Sequence, residues 1–364
     1  MKSRAALFFA PDQELAVREI ELDAPGPGEV LVRMAAVGIC GTDLHTIKGE
    51  WTRPTPMVLG HEGAGVIEEV GDQVGSVVPG DEVVLSWAPS CGACSDCGRG
   101  RPAACLSLQR AIGAGTGLDG TTGMSLDGDT VYRGTATGAL TERLVVDGQQ
   151  ALPLGGGIPL EQAALLGCAA LTGVGAALFA ARVEPGSTVV VIGAGGVGQF
   201  VVQGARIAGA SVIVAADPLE GRREQAQALG ATHSCHPDEL KQAMRSLAPD
   251  GADFSFDAVG APATSAVALR WTRNGGTAVL VGLPAEGQKL ELDPGEFSRR
   301  EKRLTGSLYG SQDPAVALPL LLEHVRAGRL ELASLVGPRY GLDDVNEAVR
   351  ASLKGSPGRV LVTP

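Results

Sequence analysis

The sequence predicts an α/β protein of two domains, one rich in β-strands and one built on a doubly wound parallel sheet. From Ala5 to about Leu152, short apolar runs are broken by turn signals such as Pro-Gly and Gly-Asp, as in half-buried strands. From about Leu171 to Tyr309, apolar strands alternate with helical stretches, which is the pattern of βαβ units. A chain of 364 residues is long enough to bury two such cores.

Particular segments carry these two patterns. The β-rich half contains predicted strands at Glu29–Met34, Gly65–Val70 and Asp81–Leu85. In the second half, strands are predicted at Thr188–Gly193, Ser211–Ala216, Ala252–Asp257 and Gly276–Gly282, with a helix at Gly198–Arg206. The chain ends with an amphipathic helix near 316–327 and a strand at 359–362. We therefore place the first domain at residues 1–169, completed by 310–364, and the second domain at 170–309.

Composition and charge exclude several classes of function. The net charge is −11, and no cluster of Lys and Arg forms a phosphate-binding surface, so nucleic acid is not an expected partner. The N-terminus has no long apolar segment before a cleavage-like site, and no uncharged run is long enough to span a membrane. Seven cysteines, an odd number, fit a reducing compartment. We expect a cytoplasmic protein that binds neither nucleic acid nor membrane.

Four of the cysteines form the pattern Cys-x2-Cys-x2-Cys-x7-Cys, at Cys91, Cys94, Cys97 and Cys105. Nearby glycines allow tight turns, so neighbouring sulfurs can converge on one ion. Zinc held by four thiolates is a closed site with no open position for a substrate. The spacing therefore predicts a structural zinc, rather than scattered thiols or disulfides, and the chemistry must lie elsewhere.

A glycine motif in the second domain predicts a dinucleotide site. The segment Gly-Ala-Gly-Gly-Val-Gly follows an apolar strand and opens a helix, as the G-x-G-x-x-G motif requires. Glycine permits the tight turn and lets a pyrophosphate approach the helix N-terminus closely. The coenzyme-binding residues expected here are Gly193, Gly195, Gly196, Val197 and Gly198.

Charged residues after the next strand bear on the choice of dinucleotide. Asp217 ends that strand about twenty residues beyond the motif, where a carboxylate accepts hydrogen bonds from the adenosine ribose. The same carboxylate would repel a 2′-phosphate. Arg222 and Arg223 follow closely and would soften that repulsion. We therefore predict NAD rather than NADP as the cofactor, with Arg222 among the residues that bind it.

Three further residues have the chemistry of an open zinc site. Cys40, His61 and Cys168 supply two thiolates and an imidazole, and a vacant fourth position is what Lewis-acid catalysis needs. Taken singly, each has another explanation, because Cys40 and Cys168 lie in apolar surroundings where a cysteine is commonly a small core residue. The residues alone leave both explanations open.

Taken in order, these motifs resemble the zinc-dependent alcohol dehydrogenases of the medium-chain dehydrogenase/reductase family. The resemblance rests on Gly38–His45, Gly60–Gly63, the four cysteines, Gly167–Cys168 and the glycine motif, which together cover nearly the whole chain. It implies a GroES-like catalytic domain and a Rossmann domain. It also implies that Cys40, His61 and Cys168 bind a catalytic zinc, which makes two zinc ions per chain. The implied reaction moves a hydride between a small alcohol, aldehyde or ketone and NAD.

The resemblance assigns roles to residues around the catalytic zinc. Thr42 matches the hydroxyl that contacts the substrate oxygen, and His45 matches the outer end of a proton relay. Asp43 matches the carboxylate that orients the zinc-bound imidazole, and Glu62 the acid behind the metal that approaches it transiently. Arg359 resembles a residue that contacts the coenzyme phosphate.

The resemblance also implies a substrate pocket. Trp51 and Trp87 match positions that line it, and Tyr132 and Arg133 lie on another segment that reaches it. A pocket-facing Arg133 would favour a substrate with a carboxylate or another polar end.

The segment from Leu106 to Tyr132 bears on assembly and on rival functions. Its length resembles that of the animal-type and thiol-dependent formaldehyde-oxidising branches, which favours a homodimer over a tetramer. The same length leaves open a dehydrogenase for formaldehyde bound to a low-molecular-weight thiol, although Trp51 argues against it. A redox-silent NAD-binding protein is the alternative of a different class. The complete set of ligand and relay residues argues against that alternative.

Overall fold

The computed structural model describes residues 1–364 and divides into two compact units. Unit 1 comprises Met1–Cys168, Asp313–Glu323 and Leu332–Pro364, and unit 2 comprises Ala169–Gln312 and His324–Glu331. The domain boundaries predicted at residues 169 and 309 lie close to the observed unit boundaries at residues 168 and 312. The short segment His324–Glu331 belongs to unit 2 and not, as the prediction had it, to the first domain.

The first part of unit 1 is rich in short strands, as its alternating pattern predicts. In chain order the strands are β1 Lys2–Phe8, β2 Ala16–Leu22, β3 Glu29–Gly38, β4 Met57–Val58, β5 Glu62–Val70, β6 Glu82–Leu85, β7 Met124–Leu126, β8 Asp129–Thr130, β9 Tyr132–Arg133, β10 Arg143–Asp147 and β11 Ala151–Pro153. The helices are α1 Gly41–Ile47, α2 Leu106–Ala114 and α3 Leu160–Ala163.

Unit 2 is built around one six-stranded parallel sheet in the order β14-β13-β12-β15-β16-β17. Its strands are β12 Thr188–Ile192, β13 Val212–Ala216, β14 His233–Cys235, β15 Ala252–Asp257, β16 Thr272–Leu280 and β17 Arg303–Gly306. Its helices are α4 Ala169–Gly175, α5 Gly196–Ile207, α6 Glu220–Ala228, α7 Leu240–Leu247, α8 Pro262–Trp271 and α9 Gly295–Ser298. Alternate residues of β12 enter two different apolar cores, one containing Val189 and Val191 and the other Val190 and Ile192. Both faces of the sheet are therefore covered, as in a doubly wound fold.

Apart from His324–Glu331, the end of the chain returns to unit 1. It forms α10 Pro314–Arg326, β18 Val336–Gly341, α11 Val345–Leu353 and β19 Arg359–Thr363. Strand β19 pairs antiparallel with β3, with Val362 opposite Val37. Unit 1 thus holds a six-stranded sheet, β8-β7-β2-β1-β4-β9, and a seven-stranded sheet, β11-β6-β5-β3-β19-β18, in which β10 also pairs with β3. The C-terminal strand consequently lies beside the strand that leads into Cys40.

The predicted fold class, with a β-rich part and a parallel-sheet part, is confirmed. No single helix is both long and apolar enough to cross a bilayer, and only the bent pair Leu160–Gly167 and Ala169–Ala181 passes that test together, by length and composition alone.

Candidate active site and metal centres

Two strand ends and a helical turn bring three predicted metal ligands together. Cys40 follows β3 and caps the N-terminus of α1. Because β3 pairs with β5, with Gly38 opposite Glu62, His61 arrives at the same edge of the sheet. Cys168 follows the short helical turn that ends at Gly167. The ligand atoms of Cys40, His61 and Cys168 lie within 4.8 Å of one another, and all three residues are buried.

The pKa values of the three side chains are shifted because the side chains share protons, and a metal cation can take the place of those protons. The contact with the Cys168 thiol, helped by His61, lowers the pKa of Cys40 well below its usual value in spite of burial. The same contact and burial raise the pKa of Cys168. Burial alone would lower the pKa of His61, but Asp43 and Cys40 outweigh it and raise that pKa. Zinc binds thiolates and neutral imidazole, so it would replace these shared protons, and three ligands leave one tetrahedral position open.

Asp43 fixes the backbone and the ring around the cluster. Its carboxylate accepts hydrogen bonds from the N–H of Cys40 at 2.9 Å and of Gly60 at 3.0 Å. Its Oδ1 lies 3.5 Å from Nδ1 of His61, and Asp43 is only 2 % exposed. A carboxylate on one ring nitrogen orients an imidazole so that the other nitrogen faces the metal.

Glu62 and Arg359 form a buried ion pair behind the cluster. Nε of Arg359 lies 2.7 Å from Oε1 of Glu62, Nη2 donates to Oε2 at 3.0 Å, and Nη1 donates to the carbonyl of Ile39 at 3.1 Å. Burial lowers the pKa of Arg359, but Glu62 and Cys40 raise it overall. A Cβ on Gly38 would lie 2.3 Å from Oε1 of Glu62, so a side chain at this position would displace the buried carboxylate. The sequence analysis did not predict Glu62 as the partner of Arg359. The contact of Arg359 with coenzyme phosphate stays a prediction.

The four spaced cysteines also converge. The sulfurs of Cys91, Cys94, Cys97 and Cys105 lie within 4.8 Å of one another. Hydrogen bonds from the backbone of Ala93 and Cys94 lower the pKa of Cys91 to about 6, whereas burial raises the pKa of Cys97 to about 11. The backbone N–H of Cys97 also donates to Sγ of Cys94 at 3.5 Å. Backbone donors aimed at sulfur favour thiolates, so these residues fit a four-sulfur zinc site.

In unit 2 the glycine motif forms the turn between β12 and α5. Gly193 has φ +87°, and a Cβ on Gly198 would meet the Gly193 carbonyl oxygen at 1.9 Å, so both positions require glycine. Gly195 caps the N-terminus of α5, and a Cβ there would meet nothing closer than 3.7 Å. The open backbone at a helix N-terminus is suited to a pyrophosphate.

Asp217 lies at the end of β13, beside this turn. Its carboxylate accepts hydrogen bonds from the N–H of Ala194 and of Leu219, both at 2.9 Å, and Nη1 of Arg222 lies 3.8 Å from its Oδ2. Gln199, which sequence reasoning missed, donates from Nε2 to the carbonyls of Ala194 at 2.9 Å and Arg222 at 2.8 Å. These bonds tie the glycine turn to the start of α6. The only signal in the sequence was a polar residue directly after the motif.

Two segments of the chain match models of known protein families. Residues 26–156 match the family model of the alcohol dehydrogenase GroES-like domain, and residues 196–323 match that of zinc-binding dehydrogenases. The chain is 38% identical over 353 residues to an NDMA-dependent alcohol dehydrogenase of Amycolatopsis methanolica, with 95% of each chain covered. It is 34% identical over 369 residues to an S-(hydroxymethyl)glutathione dehydrogenase of Escherichia coli O1:K1, with 100% of each covered.

The chain belongs to the zinc-dependent alcohol dehydrogenase family. Its structure also matches that of benzyl alcohol dehydrogenase from Acinetobacter calcoaceticus with a TM-score of 0.94 and 29% sequence identity, covering 100% of this chain and 99% of that one. The family resemblance predicted from the motifs is confirmed. This dehydrogenase is therefore an oxidoreductase of a zinc-binding family.

Two residues of the turn after α1 contact the side chain of His45 in this dehydrogenase. The ring of Trp51 stacks on the His45 ring, with centroids 4.8 Å apart and planes inclined by 16°. The carboxylate of Glu50 contacts Nδ1 of His45. Thr42 precedes His45 by three residues on the same helix, so both side chains lie on one face. The structure thus groups Thr42, His45 and Trp51 on α1 and the turn that follows it.

The structure contradicts the position predicted for Arg133. Arg133 is 3 % exposed, and its Nε and Nη1 donate to the main-chain carbonyls of Thr122 at 2.7 Å and Val145 at 2.8 Å. Successive strand residues point to opposite faces, so Tyr132 and Arg133 of β9 cannot both line one pocket. Arg133 is a buried structural cation, and the inference of an acidic substrate falls with it. Tyr132 packs against the apolar core of unit 1, and Trp87 is 7 % exposed.

Proposed function

We propose that this dehydrogenase interconverts an alcohol and its carbonyl compound, with NAD as hydride acceptor and two zinc ions per chain. The buried cluster of Cys40, His61 and Cys168 carries the proposal, because three ligands leave room for a substrate. Zinc bound there would act as a Lewis acid that makes the alcohol hydroxyl more acidic. The second zinc, on the four spaced cysteines, would stabilise their loop and take no part in the reaction.

Residues on α1 would bind the alcohol and remove its proton. The hydroxyl of Thr42 can accept the alcohol proton and pass its own toward His45 on the same helix face. Asp43 would keep the His61 ring in its ligating orientation. The charge of Arg359 next to Glu62 offsets a carboxylate that would otherwise raise the pKa of the nearby thiols.

Unit 2 would hold the coenzyme. The pyrophosphate would lie at the N-terminus of α5, where Gly195 leaves the backbone open. The adenosine ribose would lie against Asp217, which is already aligned by Ala194 and Leu219. NAD bound in this way supplies the hydride acceptor.

Replacing Arg222 by alanine is expected to weaken NADP binding by about tenfold or more while changing NAD binding by less than about threefold. Without Arg222, a 2′-phosphate would meet the uncompensated carboxylate of Asp217, and a like-charge contact of at least ~1.4 kcal/mol is a tenfold loss. Calorimetric titration with each dinucleotide measures the two dissociation constants. Arg245→Ala, on α7, serves as the control. An equal loss for both dinucleotides would rule out a role for Arg222 in this discrimination.

A thiol adduct of formaldehyde is the second candidate substrate. The relative from Escherichia coli is an S-(hydroxymethyl)glutathione dehydrogenase and matches this chain from end to end. Trp51 presents an apolar ring that is stacked on His45, whereas a polar thiol carrier is bound through hydrogen bonds and charges, so we favour a simple alcohol.

A substrate panel decides between these possibilities. Simple alcohols, aldehydes and the glutathione adduct of formaldehyde would be tested with NAD and with NADP, following NADH or NADPH absorbance, and with NDMA, on which the Amycolatopsis relative depends. We expect turnover of simple alcohols with NAD. Turnover of the thiol adduct alone would establish the second candidate. No reduction of any acceptor by zinc-replete protein would favour a redox-silent NAD-binding protein.

The proposal includes a homodimer that acts on a small molecule without nucleic acid or membrane. The long segment after Cys105, which forms α2, β7 and β8, supports the dimer through its family resemblance. Light scattering during size-exclusion chromatography should give about twice the chain mass of 37.1 kDa. A fourfold mass would contradict it.

A further inference from the structure

Helix α1 ends in a turn that folds Glu50 back onto His45. Gly49 adopts a left-handed conformation, φ +68°, and its N–H donates to the carbonyl of Thr46 at 3.0 Å. The N–H of Glu50 then donates to the carbonyl of His45 at 2.9 Å. A Cβ on Gly49 would lie 2.9 Å from Pro11, so a side chain at this position is excluded by space as well as by conformation. The turn therefore holds residue 50 beside residue 45.

Two contacts fix the His45 ring. The stacked ring of Trp51 sets its plane, and the carboxylate of Glu50 at Nδ1 sets its rotation within that plane. The guanidinium of Arg53 lies 5.2 Å from the centre of the Trp51 ring. A carboxylate can only accept a hydrogen bond, so Nδ1 must carry the proton. Nε2 of His45 is then the nitrogen that can accept one.

We propose that Glu50 is a positioning residue for His45 and the next proton acceptor after it. The inference rests on the proposed function, in which His45 removes the alcohol proton. No sequence motif assigns Glu50, and only the folded turn shows it. Glu50 would hold the tautomer that accepts a proton at Nε2 and would then carry the proton outward.

The proton step balances without a further reactant. A proton passed on by the Thr42 hydroxyl forms a bond to Nε2 of His45. The Nδ1–H bond breaks as the proton moves to Oε2 of Glu50, leaving His45 neutral. The carboxylic acid of Glu50 then gives its proton to water and returns to the carboxylate. One proton leaves per alcohol oxidised. Exchange with water, which removes one proton from Nε2 and returns one to Nδ1 through Glu50, then restores the starting tautomer with no net change in protons.

Exposure gives this path its direction. The side chain of His45 is 23% exposed and that of Glu50 is 35% exposed, so the path leads outward. An ordinary surface ion pair such as Lys2 with Glu19 has side chains 67% and 56% exposed and would contribute little. The half-buried His45 pair, with a stacked ring on one face, restricts the imidazole far more than such a surface pair.

The tautomer of His45 is the first test. Long-range proton–nitrogen NMR of protein labelled at its five histidines, with His45→Gln to assign the signal, reads which ring nitrogen carries the proton. We expect the Nδ1–H form in the wild-type protein and a mixture of tautomers in Glu50→Gln. The Nε2–H form in the wild-type protein would overturn the proposal.

Chemical rescue is the second test. Glu50→Ala is expected to lower kcat by about tenfold at saturating alcohol, within the range of proton-transfer groups, with KM changed less than about twofold. Formate should restore most of the lost rate, whereas chloride at the same ionic strength should not. Glu19→Gln, which removes an exposed carboxylate, controls for general effects of formate.

The outcomes separate this proposal from the one it rests on. Unchanged kcat in Glu50→Ala, or a loss that formate does not restore, would overturn the role of Glu50. Full activity in His45→Gln would instead remove the relay itself and leave the metal site untouched. Glu50→Gln serves in place of Glu50→Ala if the truncated variant does not fold, and its kcat should fall by a similar factor.

Discussion

Replacing Cys40 by serine is expected to lower kcat/KM for alcohol oxidation by about 10³-fold or more. Cys40 has a lowered pKa and is the buried thiolate of the three-ligand cluster. A serine hydroxyl stays protonated at neutral pH and is a poor zinc ligand, so the Lewis acid would be lost. Lewis-acid stabilisation is worth several kcal/mol, and each 1.36 kcal/mol is a factor of ten in rate. Steady-state kinetics with the best alcohol of the panel measures the loss.

Cys235→Ser is the matched control for this substitution. Cys235 is also a buried cysteine, 8 % exposed, but it belongs to neither metal cluster. Its substitution should leave kcat/KM within about threefold of the wild-type value, a small effect of the kind expected away from the reacting groups. If Cys40→Ser kept more than about a tenth of the wild-type kcat/KM, the metal would not be the principal catalyst.

Replacing Cys97 by serine is expected to destabilise the loop of spaced cysteines rather than to remove the chemistry. Three of its four cysteines are only partly buried, so little apolar burial supports the loop without a metal. Structural zinc binding contributes about 10 kcal/mol or more in small domains, and losing one ligand should cost at least ~3 kcal/mol locally. We expect the melting temperature to fall by about 5–10 °C.

Limited proteolysis locates this effect. Arg99 is exposed within the loop and is followed by Gly100, so trypsin should cut there rapidly in Cys97→Ser and slowly in the wild-type protein. Cys40→Ser should remain as resistant as the wild-type protein, because its metal site lies elsewhere. Equal resistance of Cys97→Ser and the wild-type protein would show that zinc does not hold the loop.

Features set by local geometry could be predicted from the sequence. Sulfurs of cysteines that are three positions apart, with two residues between them, can reach one ion only through tight turns, and the glycine motif admits no Cβ at Gly193 or Gly198. Because these requirements involve residues that are close in the sequence, they determine the spacing of the cysteines and glycines, and that spacing can be recognised from the sequence alone. The alternation of β12 between two cores also follows from the period of two in a strand.

Features that depend on distant parts of the chain could not be predicted in this way. Glu62 and Arg359 are 297 positions apart and meet only because β19 returns to β3. The sole trace of their contact is Gly38, whose missing side chain makes room for Glu62. The prediction that Arg133 faces the substrate pocket is wrong. The face of the sheet on which Arg133 lies depends on the register of the two-residue strand β9, and no periodic pattern can fix the register of so short a segment.

Glu50 is an intermediate case. Gly49 signals a helix end, which the sequence could have shown, but the contact with His45 depends on how the following residues fold back. A carboxylate one residue beyond a helix-ending glycine is too common to mark a proton path without the structure.

Zinc content per chain, measured by elemental analysis of metal-replete protein, tests most directly whether Cys40, His61 and Cys168 form a metal centre separate from the four-cysteine loop. We expect two equivalents in the wild-type protein, one in Cys40→Ser, one in Cys97→Ser and none in the double variant. A single equivalent in the wild-type protein that persists in Cys40→Ser would contradict the catalytic zinc site, and with it the proposed reaction.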